Sequence, residues 1–238
     1  MEGMSSCLLT FVPQGMPSLL ARTDYHTNDL NTLVLSTDTS NSLASALEEL
    51  RRGGLVAFPT DTVYGVGALV NDINAIKRLY AAKGRTTEKA IPVLVGRMSD
   101  VNKIAVNIPP GAQQLMDTFW PGALTLVLTK LSTVSDAISR GDTIAVRMPD
   151  HPWLLNLLKS SGPLAVTSAN RSGGQHPMRA SHVLDDLCTR IDLLIDGGDS
   201  QGGIPSTIVD SSKDPPKILR SGPISEGQIR QALASQHC

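Results

Sequence analysis

Aromatic side chains are scarce in this chain of 238 residues: three Phe, three Tyr and two Trp, or 3%. A platform for single-stranded nucleic acid stacks bases on rings, so this composition argues against one. The core must instead come from Val, Leu, Ile and Ala, which suits an α/β sheet packed by helices. With 41% hydrophobic residues there is enough apolar surface for one large domain, or a domain plus extensions. Cysteine is scarce too. Cys7, Cys188 and Cys238 lie far apart without C-x-x-C spacing, which predicts a reduced compartment, no disulfide framework and no zinc site. His151, His176 and His182 show no metal-ligand spacing either, so no protein-held metal is expected. No apolar run approaches the ~20 residues of a membrane span. Neither Gly-x-x-x-x-Gly-Lys-Ser/Thr nor Gly-x-Gly-x-x-Gly after a strand is present, which excludes a P-loop and a dinucleotide fingerprint. The N-terminus has Glu2, Asp24 and Asp29 but no basic start leading into an apolar core. It reads as an extension over 1–35 rather than a secretory signal, with one domain over 36–238 and a cytoplasmic location.

Charge is nearly balanced, with 21 Lys+Arg against 22 Asp+Glu, yet it is not evenly spread. From Lys77 to Lys89 the chain carries Lys77, Arg78, Lys83, Arg85 and Lys89 against the single acid Glu88. On an otherwise neutral protein such a cluster suits a small polyanion better than a duplex, which would shift the charge of the whole domain. It is equally compatible with a solvated helix end, where cations complement the dipole.

The apolar pattern alternates strand and helix. Leu33–Leu35, Leu55–Phe58, Pro92–Val95, Leu124–Leu128, Ile144–Val146, Leu164–Val166, Leu193–Ile195, Ile208–Val209 and Ile218–Leu219 read as strands. Helices are predicted after Asn41 or Ser42, over about 72–83 (burying Ile73, Ile76, Leu79 and Tyr80, with Gly84 as C-cap), and around Val101, Ile104 and Ala105. Others follow around Leu115 to Phe119, Trp153 to Leu158, Val183 to Leu187, and through Ile229, Ala232 and Leu233 behind a Ser225/Gln228 capping box. One α/β domain is the economical reading.

Four polar loops flank strands: Pro59–Gly65, Val146–Pro149, Thr167–Asn170 and Pro205–Thr207. Ligands of open α/β sheets bind in such loops, whose hydroxyls and amides can hold phosphate oxygens or an amino acid. Each loop can also be a turn whose polar side chains satisfy local backbone groups. Arg147 is less easily read that way, because it follows an apolar strand and needs an anionic partner if buried.

Taken together and in order, Pro59-Thr60-Asp61-Thr62-Val63-Tyr64-Gly65, Lys83-Gly84-Arg85, Ala145-Val146-Arg147-Met148-Pro149, Ser168-Ala169-Asn170, Ser206-Thr207-Ile208-Val209-Asp210 and Ile218-Leu219-Arg220 resemble the YrdC/TsaC family of threonylcarbamoyl-AMP synthases. The similarity covers roughly residues 39–233. It implies a YrdC-like α/β fold, a twisted, mostly mixed sheet packed by helices around a concave basic cavity. It also implies conversion of L-threonine, bicarbonate and ATP to threonylcarbamoyl-AMP and pyrophosphate, with Mg2+ accompanying the ATP. The product would pass to a tRNA threonylcarbamoyl-transfer complex, with tRNA or double-stranded RNA as a further contact and no membrane. By the same resemblance Lys83 and Arg85 are the catalytic cations. Arg85, Lys89, Thr143, Ser168, Asn170, His176 and Arg220 lie along the ATP site; Thr62, Arg147, Val166 and Ser206 hold the threonine, Arg147 on its carboxylate. One position departs: many members carry His in the strand after Lys-x-Arg, where this chain has Leu94. The chain is similar to the short, single-domain form of the family. A non-catalytic RNA-binding or ribosome-maturation module, and a carbamoyl-transfer domain of the hydrogenase-maturation type, are the alternatives.

Overall fold

The structure, a computed structural model, describes residues 32–234. Within these residues eleven strands form one mixed sheet: β1 (Leu33–Ser36), β2 (Val56–Phe58), β3 (Gly65–Leu69), β4 (Val93–Leu94), β5 (Ala105–Val106), β6 (Leu124–Lys130), β7 (Thr143–Arg147), β8 (Leu164–Ser168), β9 (Leu193–Asp196), β10 (Thr207–Asp210) and β11 (Lys217–Arg220). Their order is β1-β9-β2-β3-β8-β4-β7-β6-β10-β11, with β5 added against β6. Among the described residues six helices pack on it: α1 (Ser42–Arg51), α2 (Ile73–Lys83), α3 (Pro110–Phe119), α4 (Pro152–Ser161), α5 (Ala180–Leu187) and α6 (Glu226–Ala234). None of the described helices is long and apolar enough to cross a membrane.

Local chemistry sets several boundaries. The Asp72 side chain accepts the Ala75 N–H at the start of α2, and Gly84 ends it in the left-handed conformation, φ 58°. Pro110 and Pro152 open α3 and α4, where a missing N–H costs nothing. Ser225 and Gln228 form the expected capping box before α6.

Side-chain alternation along the strands explains the layers. In β2, β8 and β9, Ala57, Ala165 and Leu194 belong to one apolar cluster, while their neighbours Val56, Phe58, Leu164, Val166, Leu193 and Ile195 belong to another. The first cluster takes in buried residues of α2, α3, α5 and α6 and runs the length of the sheet. The second takes in only α1 and α4, together with β1, β2, β8, β9 and Leu94. From β7 through β6 and β10 to β11, then, one face of the sheet is helix-covered and the other takes in no residue of a described helix, α4 reaching only as far as β8 and Leu94 of β4.

Several expectations need correction. Residues 98–103 form a 3-10 turn leading into β5, not an α-helix around Val101 to Ala105. Ile73, expected to be buried, is 47% exposed at the first position of α2. Arg78 lies on the surface of α2 with its side chain 40% exposed, yet its guanidinium donates to both Asp192 carboxylate oxygens and to the Gly53 carbonyl, tying α2 to the β1–β2 end of the sheet. β1 falls within the stretch expected as an extension, yet it pairs in register with β9; residues 1–31 lie outside the described residues. Cys188 is disulfide-bonded, contrary to the expectation of a chain without disulfides.

Candidate functional site

The helix-free half of the second sheet face is the floor of a cavity of about 670 Å3. The floor follows from strand parity: Leu94 on β4, Ala145 and Arg147 on β7, Thr125 and Val127 on β6, Ile208 on β10 and Arg220 on β11 all line it. Their neighbours Val93, Val146, Leu126 and Val209 point into the opposite core. The walls are the loops after β2, α2, β8 and before β10. A second hollow, at Leu69 and Asn71 to Asn74, gathers no cation.

Lys83 is the last residue of α2 and is 2% exposed. Its ammonium donates to the carbonyls of Ser168 and Asn170, both at 2.5 Å, and to Asn170 Oδ1 at 3.4 Å. Its three N–H groups are thereby committed to the Ser168–Asn170 loop. The Ser172 N–H returns a bond to the Lys83 carbonyl, and Asn170 Nδ2 closes the loop onto the Gly174 carbonyl. From the other side the Asp186 carboxylate accepts the Arg171 N–H. Burial, with the Arg85 charge beside it, pushes the Lys83 ammonium down to about 8, while Asp186 pulls it upward.

Arg147 is 6% exposed at the end of β7. Its Nε donates to the Gly122 carbonyl at 2.8 Å, Nη1 to Thr62 Oγ1 at 2.9 Å and Nη2 to Asp61 Oδ1 at 2.5 Å. Asp61 is the anionic partner that a buried arginine requires. Burial lowers the Arg147 guanidinium from its ordinary value and Asp61 opposes that. An arginine has five N–H groups, so two remain for a ligand carboxylate. Thr60, also buried, fixes Thr62 through an Oγ1–Oγ1 contact of 3.0 Å and accepts the Thr62 and Val63 N–H groups.

A third group lies across the floor. The Ser206 hydroxyl is 2.7 Å from Thr125 Oγ1, and the Ser206 carbonyl accepts Nε and Nη2 of Arg220. His176 and Lys89 line the same cavity, as do Arg85 and Val166. Arg85 spends two donors on the Lys89 and Ala90 carbonyls, leaving three for a ligand. Thr143, expected along the ATP site, is at the start of β7 away from the lining, and its carbonyl accepts the Ser139 hydroxyl. The other expected site residues are brought together. Asp61, Thr125 and Asp186 were not anticipated. A polar residue amid the apolar run 124–128 was a visible signal for Thr125; Asp186, 15 residues from Arg171, left none.

The cations depress one another. After burial, Arg220 is lowered by Arg147, and His176 by Arg220 and Lys83. No carboxylate lines the cavity among the described residues. Like charges held this close to one another favour a bound polyanion, which relieves their repulsion.

Comparison with known proteins agrees with this geometry. Residues 48–222 match the family model Sua5_yciO_yrdC, described as telomere recombination. The chain is 41% identical over 198 residues to a threonylcarbamoyl-AMP synthase of Bacillus subtilis, covering 82% of this chain and 57% of that protein. It is 38% identical over 195 residues to a putative threonylcarbamoyl-AMP synthase of Mycobacterium tuberculosis, covering 82% and 90%. The structure of P. abyssi Sua5 complexed with L-threonine superposes with a TM-score of 0.78 at 41% identity, over 80% of this chain and 56% of that one. The chain thus spans little more than half the length of the Bacillus and P. abyssi proteins. Sheet, cavity and sequence together place it in the Sua5/YciO/YrdC family.

Proposed function

We propose that this chain makes threonylcarbamoyl-AMP and pyrophosphate from L-threonine, bicarbonate and ATP, for transfer to tRNA. The observation that carries the reading is one cavity holding two differently built ends of a reaction. Arg147 has two N–H groups to spare beside the buried hydroxyls of Thr62 and Ser206. Lys83, Arg85 and the Ser168–Asn170 loop offer cations and amides suited to phosphates. The names of the relatives and the threonine in the P. abyssi structure support the same reading.

In this reading the threonine carboxylate takes the free N–H pair of Arg147. The amine adds to carbon dioxide from bicarbonate, losing a proton and giving a carbamate. A carbamate oxygen then bonds to the α-phosphorus while the bond to pyrophosphate breaks, the electron pair leaving with pyrophosphate. No step needs a protein nucleophile. The chain positions the two reactants and stabilises charge developing on the phosphates. Lys83 acts through its charge and by holding the Ser168–Asn170 loop, whereas Arg85 has donors free for the phosphates. Mg2+ would enter with the substrate as MgATP: among the described residues the cavity lining has no carboxylate to hold it, and phosphate oxygens are its natural ligands.

The test is pyrophosphate release from ATP with and without threonine and bicarbonate. Release requiring both supports the synthase, and loss of one cation in Arg85→Ala should slow it on the order of 10²-fold. Release independent of threonine, or none, contradicts the proposal.

A further inference from the structure

Arg147 divides the cavity floor into two chemically unlike sides. On one side, parallel pairing sets Leu94 beside it in register, and adjacent strands lie about 4.8 Å apart. Leu94 is 5% exposed and lines the cavity with Val166, which is 6% exposed and whose N–H is bonded to the Pro92 carbonyl. Leu94 and Val166 present methyl groups here, and the first polar lining residue of β8 on this face is Ser168, two positions further on. On the other side is β6, whose Thr125 is 3% exposed with its hydroxyl against Ser206. Thr62 adds a third hydroxyl, already bonded to Arg147.

We propose that Leu94 is a specificity-determining residue, forming with Val166 the wall that accepts the methyl group of a β-hydroxy amino acid while the Thr125–Ser206 hydroxyl pair meets its hydroxyl. The inference rests on the synthase reading above. A carboxylate held on the two remaining N–H groups of Arg147 brings the ligand's Cβ between the two walls. Threonine, with hydroxyl and methyl on one carbon, satisfies both. Serine leaves the Leu94 wall bare, and valine sets a methyl against the hydroxyls. One methyl in an apolar pocket discriminates by roughly 10- to 200-fold, and the lower end is expected for a cavity open on one side. The Thr125 and Ser206 hydroxyls already bond each other, so valine is disfavoured without the much larger penalty of a stranded buried donor.

The side chain of Leu94 also bounds how long the ligand can be. Shortening it opens room for one more methylene, as in 3-hydroxynorvaline. The experiment measures amino-acid-dependent pyrophosphate release by wild type, Leu94→Ala and Leu94→Val with threonine, serine and 3-hydroxynorvaline, comparing kcat/KM. Wild type should prefer threonine over serine about tenfold or more. Leu94→Ala should reduce that ratio to about threefold or less and raise the relative rate with 3-hydroxynorvaline; Leu94→Val, a smaller cut that preserves folding, should move both readouts the same way. ATP affinity should stay within about twofold of wild type, since Leu94 faces the amino-acid side. Unchanged ratios in both variants, with threonine dependence intact, overturn the role of Leu94 alone. Pyrophosphate release by wild type that ignores the amino acid overturns the synthase reading beneath it.

Discussion

Raising the pH from 7.5 to 9.5 should weaken nucleotide binding, and the cause should be one buried side chain. Lys83 sits 2% exposed, with its ammonium lowered from 10.5 to about 8 by burial and by Arg85. That fall corresponds to on the order of 3 kcal/mol of unfavourable charge burial in the free protein. A polyanion in the cavity favours the charged form and returns the ammonium toward its ordinary value. At pH 9 free Lys83 is then only about one-tenth protonated, while bound Lys83 is almost wholly so, and binding takes up nearly one proton. Integrated from pH 7.5 to 9.5, the linkage predicts an affinity loss of roughly 10- to 20-fold. The γ-phosphate titrates near pH ~6 and stays outside this window. Calorimetry in buffers of different ionisation enthalpy counts the proton directly, and Lys83→Met should bind more weakly with a flat profile. Affinity independent of pH over this range, or a wild-type slope surviving in Lys83→Met, refutes the reasoning. The sign for the free protein is opposite. Because the folded state disfavours the charged lysine, the penalty is whole below pH 8 and is relieved between 8 and 10.5, so ligand-free stability should rise there.

The remaining predictions concern the frame of the site. Asp61→Asn or Arg147→Met should each cost about 3–5 kcal/mol by leaving one charge of a buried pair uncompensated, and the double variant should cost less than their sum in denaturant titrations; Arg147→Met should also lose threonine binding. In Gly67→Ala the new methyl would lie 2.8 Å from Val166 Cγ2 and 3.1 Å from the Ala165 carbonyl, so about 1–3 kcal/mol of stability should be lost, with weaker threonine affinity as Val166 shifts into the cavity. The Tyr64 hydroxyl, donating to the Gly198 carbonyl, is pushed up to about 12 chiefly by burial, so stability should fall from pH 10 toward 12; Tyr64→Phe should be less stable by about 1–3 kcal/mol at neutral pH but lack that alkaline fall.

Where apolar periodicity was strong, the fold was legible in the sequence. The α2 signals, Asp72 before the apolar stripe and Gly84 after it, are the observed caps, and the Ser225/Gln228 pair opens α6 as expected. β3 went unread because Gly65 and Gly67 give it a loop's composition. Their reason is tertiary: a Cβ at either would lie within 3 Å of Val166, so the strand is glycine-rich because it passes so close to β8. Residues 98–103 mislead for a related reason, since apolar spacing at Val101, Ile104 and Ala105 fits a helix, while pairing of β5 with β6 draws the last of them into a strand. At the site, the need of Arg147 for an anion was legible but its partner was not, because Asp61 is 86 residues away. Lys83 was legible as a cation of the site, whereas its commitment to the Ser168 and Asn170 carbonyls depends on β8 returning to the end of α2, which no local pattern records.

The central claim is that the cavity on the helix-free part of this sheet face joins a carbamate of threonine to the α-phosphate of ATP. Its most direct test supplies 13C-bicarbonate, threonine and MgATP to the protein and analyses the products by mass spectrometry at short times. A species containing threonine, AMP and the labelled carbon, formed in step with pyrophosphate and lost in Arg147→Met, is the predicted result. Pyrophosphate formed without label in any threonine-containing adenylate would contradict the account.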